Sequence, residues 1–483
     1  MPSFNTGNGV HIPNLPIAVL IALLLMTGCA SLDADRELDI TADLARRITS
    51  QDLDPTEAWA LPVEGESPAW NGTAPLTYDA AVAVSLQGDP SLRSALALIV
   101  ERRANYVQQG LPPNPTVAFG IGVAIDGLAG APLMVQGLQM LSWLWKNPWR
   151  VEAAEAELRT AVYLAAERCI QVLARTRLEL AAVLAAQKTL TLDQQYVDIT
   201  QKTVDLVRAM QEAGELARLD LDRAHVDHEK AVSSLVSSQH ALMNAKLELL
   251  GTMGRPAAST DWIAIGELPP TWNIPENENE LLELAAIGRL DVAASFQAVR
   301  QVEADLGLAK TRRFPEVTAT VMYQQSFAGR EAIKPGALVT IPILDNGDPA
   351  IAMQRAKLEQ AQMNLLAASE TAQREVRTSY NMLLDARERT RVIRYGQLNA
   401  AVNAQQRSDA AYAEGEVDLN TLLLTQRTRI EVERQLVLQE FAIMQAMCSL
   451  REAVGGSFNS ITAFVPDFEI EAQPSKKVEE QSL

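Results

Sequence analysis

Aromatic residues, histidines and cysteines are all scarce in this chain. Of its 483 residues, 5% are aromatic, four are His and three are Cys. The sequence also contains no nucleophile elbow, no HExxH zinc motif and no phosphate-binding loop. These absences argue against an enzyme with several mixed folds. We expect one elongated architecture with no catalytic residue, no cofactor and no metal site.

Positive charge is also in deficit. The formal net charge is −18, and residues 1–28 contain no Asp, Glu, Lys or Arg, so the rest of the chain carries all of it. A chain with this balance does not attract a phosphate backbone, which argues against nucleic acid as a partner.

Long apolar runs are absent, with one exception near the start of the chain. The segment Leu15–Met26 is too short to cross a bilayer as a helix, but it suits the apolar region of a secretory signal. Small residues then precede Cys29, a pattern that resembles a bacterial lipoprotein signal. We predict that Cys29 is lipidated and becomes the mature N terminus. The alternative is an uncleaved hydrophobic anchor in which Cys29 has no role.

The other two cysteines, Cys169 and Cys448, lie far apart in sequence with a helical pattern. They are predicted to be small buried residues rather than members of a disulfide or a metal site.

The layout of the chain is repeated once, with a nearly constant offset. The matched positions are Gly88 with Gly288, Ala104 with Ala304 and Pro115 with Pro315 at an offset of 200, and Asn147-Pro148 with Asp348-Pro349 and Gly214 with Gly415 at an offset of 201. Each half is predicted to run helix, strand, strand, long helix, tight turn and helix.

The long helices are the clearest predicted elements. Residues 151–213 contain no Gly or Pro, and a helix of this length reaches roughly 95 Å. The counterpart, residues 350–414, is interrupted at Gly396. We predict that Asn147 and Asp348 cap the two helices, each with a proline at the first helical position. A second helix returns after each turn, as far as residue 251 in the first half and residue 455 in the second.

Four segments have the length and alternation of strands. They are residues 117–125, 133–142, 317–325 and 336–344, with a polar loop predicted at residues 326–335. Nine or ten residues suit a transmembrane β-strand, although amphipathic hairpins over a soluble core would have the same pattern. Four strands cannot close a barrel, so a transmembrane arrangement would need several chains.

Several sequence segments together resemble the TolC-like outer-membrane efflux protein family over about residues 75–456. They are LPPNPTVAF, FPEVTATV, VTIPILDNGDPAIAMQRAKLEQAQ and AYAEGEVDLNTLLLTQRTRIEVERQLVLQE. The resemblance implies a mainly α fold with some β structure. In that family three protomers give four strands each to a twelve-stranded transmembrane β-barrel, and their helices form a long coiled-coil periplasmic tunnel with an equatorial belt.

With this resemblance the chain divides into six predicted segments. They are a lipoprotein signal peptide at 1–28, an N-terminal anchor and equatorial segment at 29–75, a first repeat at 76–256, an equatorial linker at 257–285, a second repeat at 286–456 and an acidic tail at 457–483.

The resemblance also implies a function. A homotrimer, lipid-anchored in the outer membrane, would export small molecules or ions together with a periplasmic adaptor protein and an inner-membrane pump. One alternative is the outer-membrane duct of type I protein secretion. Another, from a different class, is a structural coiled-coil periplasmic lipoprotein.

The turns at Gly214 and Gly415 are predicted to lie at the same end of the tunnel, where the family narrows its pore and meets its adaptor. Carboxylates surround both turns, and threefold symmetry would arrange them as acidic rings that select cations. The candidate aperture residues are Glu215, Glu414, Glu416 and Asp418. A solvated polar turn is the alternative for each of them.

Three further groups of residues are candidate working parts. Arg208, Arg218 and Arg407 are predicted to pair with the tip carboxylates and hold the tip closed. His225 and His228, with Asp222, have a spacing that permits metal binding, but solvated helix surface is the preferred interpretation. Trp143, Trp145 and Trp149 form either an interfacial aromatic belt or ordinary packing between strand and helix.

Overall fold

The computed structural model describes residues 32–49, 70–122, 132–269 and 274–458. The predicted signal peptide, Cys29, residues 123–125 of the first predicted strand and the acidic tail beyond residue 458 lie outside the described residues. The described part of the chain contains long helices and one four-stranded antiparallel sheet. No helix in this part combines the length and the hydrophobicity that a transmembrane helix requires.

A short N-terminal helix, α1 (Asp35–Thr49), precedes the first half. The elements of the first half are α2 (Tyr78–Gly88), α3 (Pro90–Gly110), β1 (Thr116–Ile121), β2 (Leu133–Met140), α4 (Trp143–Glu212) and α5 (Arg218–Thr252). The 70 residues of α4 give it a length of about 105 Å.

The second half repeats this order. Its elements are α6 (Glu278–Gly288), α7 (Leu290–Lys310), a 3₁₀ turn (Thr311–Arg313), β3 (Glu316–Gln325), β4 (Glu331–Thr340), α8 (Asp348–Val392), a π-helical turn (Ile393–Leu398), α9 (Asn399–Ala413) and α10 (Leu419–Ala453). The π-helical turn includes Gly396, where the sequence predicted an interruption.

Glycines allow equivalent close approaches in the two halves. A Cβ atom on Gly254 would lie 2.3 Å from the carbonyl oxygen of Gly88, and a Cβ atom on Gly455 would lie 2.4 Å from that of Gly288. Gly254 and Gly455 also have positive φ angles, of 70° and 88°. The end of each return helix therefore packs directly against the junction between two shorter helices of its own half.

The sheet joins the two halves, because its order is β1-β2-β3-β4 and β2 pairs with β3. The predicted start of the last strand is wrong. β4 begins at Glu331, and Ser326 closes the loop by donating its N–H to the carbonyl of Arg330 at 2.9 Å. The segment EAIKP looks like a loop because it is polar and contains a proline, but β4 is an edge strand that accepts both features.

The predicted helix caps also need correction. α4 begins at Trp143, so Asn147 and Pro148 lie inside its first turns. The turn before Pro148 is already helical, since the N–H of Leu144 bonds to the carbonyl of Leu141 at 3.0 Å. In the second half, Asp348 is the first helical residue and Gly347, with φ of 79°, occupies the cap position.

The core is a series of apolar clusters along the long helices rather than one large centre, with members on α4 in the first half and on α8 and α10 in the second. The cluster at the start of α4 contains Ile99, Leu158 and Val162, and the N-terminal helix α1 packs on it through Leu38 and Leu44. Cys169 and Cys448 are buried and free, as the sequence predicted, and burial raises the pKa of each thiol to about 12.

The helix-turn tips as the candidate functional site

Two turns of the same geometry connect the long helices to the return helices. Gly214 has φ of 82° and Gly415 has φ of 76°, both in the region that favours glycine. In each turn the residue after the glycine donates its N–H back across the helix end, Glu215 to Met210 at 2.9 Å and Glu416 to Ala411 at 2.8 Å. This is the Schellman pattern, which ends a helix at a glycine.

The structure places both turns at the same end of the protomer. One apolar cluster joins the end of α4 to the start of α10 and includes Val207, Ala224 and Leu422. The hydroxyl of Tyr412 also donates to the sulfur of Met210 at 3.5 Å. The predicted common position of Gly214 and Gly415 therefore agrees with the described geometry.

The candidate carboxylates at the turns differ in their surroundings. Glu215, Glu414 and Glu416 are exposed. Asp418 is also exposed, but it caps α10 by accepting hydrogen bonds from the backbone N–H of Thr421 at 3.0 Å and from its hydroxyl at 2.6 Å. The hydrogen bond from the Thr421 hydroxyl and those from other donors hold the pKa of Asp418 below its usual value.

The sequence predictions missed this capping role, although Asp418 followed by Leu, Asn and Thr is a recognisable cap signal. The equivalent cap position in the first half is Ala217, which makes no side-chain bond to α5. Glu215, Glu414 and Glu416 therefore remain as tip carboxylates without such a structural role.

The arginines near the turns do not make the predicted closing pairs within the protomer. Arg208 pairs with Asp205 on its own helix at 3.4 Å. In the described part of the chain, neither Arg218 nor Arg407 forms a salt bridge to a carboxylate of the turns. His228 approaches the hydroxyl of Thr200 at 3.2 Å, an ordinary contact between α5 and α4.

The tryptophans near the sheet include one clear packing residue. A Cβ atom on Gly307 would lie 2.2 Å from the ring of Trp149, so this indole covers the glycine on α7. Lys146 pairs with Glu316 at the start of β3. Packing between α4 and α7 therefore accounts for Trp149.

Interior ion pairs lie between the tip and the middle of the protomer, and sequence reasoning missed them. On α10, Arg434 pairs with the buried Asp193, and the buried Glu440 accepts bonds from Lys188 at 2.9 Å and Arg394 at 2.6 Å. The partners are as much as 252 positions apart in sequence, so no local pattern could have indicated them.

A charged cleft of about 650 Å³ lies where the two halves meet. Arg289 binds both oxygens of Asp291 and also donates to Glu375 at 2.6 Å. Glu167 faces this cleft, and burial, with a smaller contribution from Asp291, raises its pKa to about 7. The cleft arises from the packing of the halves, and the sequence predictions did not include it.

The second half of the chain matches a known family. Residues 281–456 match the family model described as Outer membrane efflux protein. The match covers α6 to α10, and so it contains β3, β4 and the turn at Gly415.

Two curated proteins are similar in sequence. One is the pyoverdine export outer membrane protein OpmQ of Pseudomonas aeruginosa, 26% identical over 294 residues, which cover 53% of this chain and 60% of OpmQ. The other is nodulation protein T of Rhizobium leguminosarum bv. trifolii, 23% identical over 288 residues, covering 57% of this chain and 61% of that protein. The matched region thus spans about three-fifths of each relative.

A larger part of the chain is similar to solved structures. One of them is CusC, whose crystal structures concern conformational changes in folding and transmembrane channel formation. CusC superposes on this chain with a TM-score of 0.69 and 18% sequence identity. The superposition covers 79% of this chain and 92% of CusC. At this identity the comparison establishes a shared fold, which extends over both halves of the chain.

Proposed function

We propose that this chain, whose residues 281–456 match the Outer membrane efflux protein family model and whose fold resembles that of CusC, forms the outer-membrane channel of a tripartite system exporting small molecules or ions. Proteins of this family are efflux channels and not enzymes. In the proposal a periplasmic adaptor protein and an inner-membrane pump complete the system, and the pump supplies the energy. The observation that carries the proposal is the protomer itself, with an incomplete sheet at one end of long helices and two exposed turns at the other.

The proposed assembly is a homotrimer. β1 and β4 are edge strands of the described sheet, and their unpaired backbone groups would be costly in lipid. Large apolar side chains on these strands are exposed, among them Phe119 and Ile121 at 74% and 73%. Three copies of four strands would give a closed twelve-stranded barrel with its apolar side chains facing lipid.

The proposed aperture is formed by the two turns. In a trimer, the exposed Glu215, Glu414 and Glu416 would each occur three times around one axis, which concentrates negative charge at the opening. Asp418 contributes less to the aperture in this proposal, because its oxygens already bind Thr421. The turns at Gly214 and Gly415 are the proposed contacts for the adaptor.

The nature of the cargo and the membrane anchor are also proposals. OpmQ is named for pyoverdine export, which favours an exported compound over a structural role for this chain. Lipidation of Cys29 would add an anchor to the barrel. Mass spectrometry of the mature N terminus tests that point, and an unmodified precursor with an intact N terminus would exclude the anchor.

The central test is the conductance of the purified protein. Reconstituted in planar bilayers, it should form cation-preferring channels, and Glu416→Lys should shift the reversal potential toward anions. Asp418→Asn serves as a matched control in the same turn, with a smaller expected shift. A protein that conducts no ions, together with a deletion strain that tolerates toxic compounds and metals as well as its parent, would refute the channel proposal.

A further inference from the structure

The strand register assigns every residue of the sheet to one of its two faces. Directly paired residues share a face, and successive residues of a strand alternate between faces. One continuous row crosses all four strands through Ala118, Gln136, Met322 and Lys334, because each of these residues is paired with the next. All pairs of the described register join residues of the same parity. The even-numbered strand residues therefore lie on one face, and the odd-numbered residues lie on the other.

The two faces differ in composition. The odd-numbered face is mainly apolar, with Val117, Phe119, Ile121, Val135, Val321, Tyr323, Ile333 and Val339. Most positions of the even-numbered face are small or polar, among them Ala118, Gly120, Gln136, Thr318, Thr320, Gln324 and Thr340. A transmembrane barrel turns its apolar face to lipid. In the proposed barrel, the even-numbered face therefore lines the lumen.

Only three residues of the described strands carry a charge, and one of them is an unneutralised cation on the even-numbered face. Glu316, at the start of β3, pairs with Lys146 of α4. Glu331 lies on the odd-numbered face, at the start of β4. Lys334 is exposed on the even-numbered face and donates to the neutral side-chain oxygen of Gln324 at 2.9 Å. No carboxylate of the described residues forms a salt bridge with Lys334.

Lys334 lies toward the end of the sheet that is farthest from the helices. β2 leads into α4 and β4 leads into α8, so the turn between β3 and β4 is at the opposite end of the strands. Lys334 is four positions after Arg330 of this turn, which corresponds to roughly 13 Å along the strand. The exposed cation on the sheet and the exposed carboxylates of the helix turns therefore lie at opposite ends of the protomer.

Three copies of the sheet would bring three such ammonium groups close to one axis. Twelve strands that are about 4.8 Å apart and tilted by about 40° place the backbone roughly 12 Å from the axis of a barrel. A lysine side chain projects inward from that wall, so each ammonium lies within about 10 Å of the axis, which is one Debye length at 0.1 M salt. Ions that pass through the lumen are thus only partly screened from these charges.

We propose that Lys334 lines the barrel lumen and that its three copies form a cationic ring, which concentrates small anions at the outer end of the duct. The ring has the opposite sign to the proposed acidic aperture at the helix turns. It makes Lys334 a selectivity-determining residue for cargo that carries carboxylate or phosphate groups. The inference rests on the proposed function, because the ring exists only in the trimeric barrel.

Thiol labelling tests the charge of the lumen without requiring ion flow. Met322→Cys places a thiol directly opposite Lys334, while Cys169 and Cys448 are buried. The labelling rates of an anionic and a cationic methanethiosulfonate reagent are compared in detergent-purified full-length protein at 0.1 M salt, with protein that lacks the new thiol as background. Adding Lys334→Gln should lower the ratio of the anionic to the cationic rate about threefold to fivefold, as expected for the loss of a unit charge about 6 Å away.

Two matched substitutions control for effects other than the charge of Lys334. Lys334→Arg keeps the positive charge and should keep the rate ratio. Glu331→Gln changes a charge of the same strand on the opposite face and should not lower the ratio. If Met322→Cys does not assemble, Gln136→Cys reports from the same row of the sheet.

Inorganic tripolyphosphate tests whether the ring holds an anion. In Met322→Cys protein it should slow labelling by the anionic reagent, because it competes for the same region of positive potential. Lys334→Gln should abolish this protection, and Lys334→Arg should retain it. Protection of equal size in Lys334→Gln would show that tripolyphosphate does not act through this residue, and would overturn the anion site.

The outcomes separate the ring from the channel. Equal rate ratios with and without Lys334→Gln would overturn the ring, even in a protein that conducts ions. Thiols at Met322→Cys and Gln136→Cys that neither reagent modifies would overturn it as well, because the even-numbered face would then not meet water. A protein that shows the expected ratios but conducts no ions would refute the channel proposal and leave the positive charge of this face established.

Discussion

The two halves of the chain have the same order of elements, but they use charge differently at matched positions. At the junction of α2 and α3, Asp89 caps the second helix by accepting N–H bonds from Ser91 and Leu92 at 2.8 and 3.0 Å. At the matched junction in the second half, Arg289 instead pairs with Asp291 and Glu375. The same backbone therefore accepts opposite charges, which indicates that apolar packing and glycine contacts define the architecture.

The same contrast extends along the long helices. Glu167 of α4 matches Ala368 of α8, and Glu375 of α8 matches Ala174 of α4. The position that matches each carboxylate in the other half is thus an alanine, yet both carboxylates line the cleft between the halves. Glu375 pairs with Arg289 of its own half, whereas Glu167 interacts electrostatically with Asp291 and Arg289 of the other half.

The largest effect on stability is expected from disrupting the close glycine contact that occurs in each half. Gly254→Ala and Gly455→Ala each force a Cβ atom to within 2.3 or 2.4 Å of a carbonyl oxygen at positive φ. Each should lower the free energy of unfolding by about 3 to 4 kcal/mol. Thermal unfolding of the detergent-purified protein measures this, with Gly251→Ala as the unaffected control. A melting temperature equal to that of the control would contradict the prediction.

A smaller effect is expected where the halves differ in charge. Arg289→Gln leaves Asp291 and Glu375 without their common partner, and the arginine side chain is only 11% exposed. Because Glu375 is half exposed, the expected loss is about 2 kcal/mol. Asp89→Asn is the matched substitution in the first half and should cost less than about 0.5 kcal/mol, since asparagine is an equally good cap. Equal losses of unfolding free energy in Arg289→Gln and Asp89→Asn would show that charge contributes the same stability at the two junctions.

The cleft should also make stability depend on pH. The folded protein raises the pKa of Glu167 from 4.5 to about 7, so the folded state binds the proton more tightly than the unfolded chain. The free energy of unfolding should therefore fall as pH rises from about 4.5 to 7, and stay level above that. After allowance for solvent screening, this contribution amounts to about 1 to 2 kcal/mol.

Glu167→Gln tests this dependence, since a neutral amide does not titrate. The variant should gain stability over the unmodified protein at pH 8 and lose that advantage at pH 4.5. Melting temperatures at the two pH values provide the measurement. An advantage of the same size at both values would assign the effect to packing.

The smallest expected effect concerns the caps of the return helices. Asp418→Ala removes the bonds to Thr421 and should loosen the first turn of α10. Ala217→Asp adds a carboxylate at the matched position of the first half and should gain up to about 1 kcal/mol. Hydrogen exchange of the first turns of α10 and α5 would measure both changes locally. Slower exchange in α10 after loss of Asp418 would refute its capping role.

Local signals predicted the elements with strong periodicity or special backbone geometry. Gly214 and Gly415 were correctly placed at turns, because a glycine that follows a long helical pattern ends the helix. The interruption at Gly396 was also correctly located, although its π-helical form was not foreseen. The start of α4 was wrong because Pro148 indicates a helix start from local chemistry, while contacts with the sheet allow the helix to begin at Trp143.

By itself, the sequence determined the repeat, the long helices, the turns at Gly214 and Gly415, and the burial of Cys169 and Cys448. These features follow from composition and periodicity over short stretches, where each residue acts on its near neighbours. Only the tertiary structure decided which charges meet, as for Asp193 with Arg434 or Arg289 with Glu375. The partners in those pairs are far apart in sequence, so no local pattern indicates them, and they meet only because the long helices pack together.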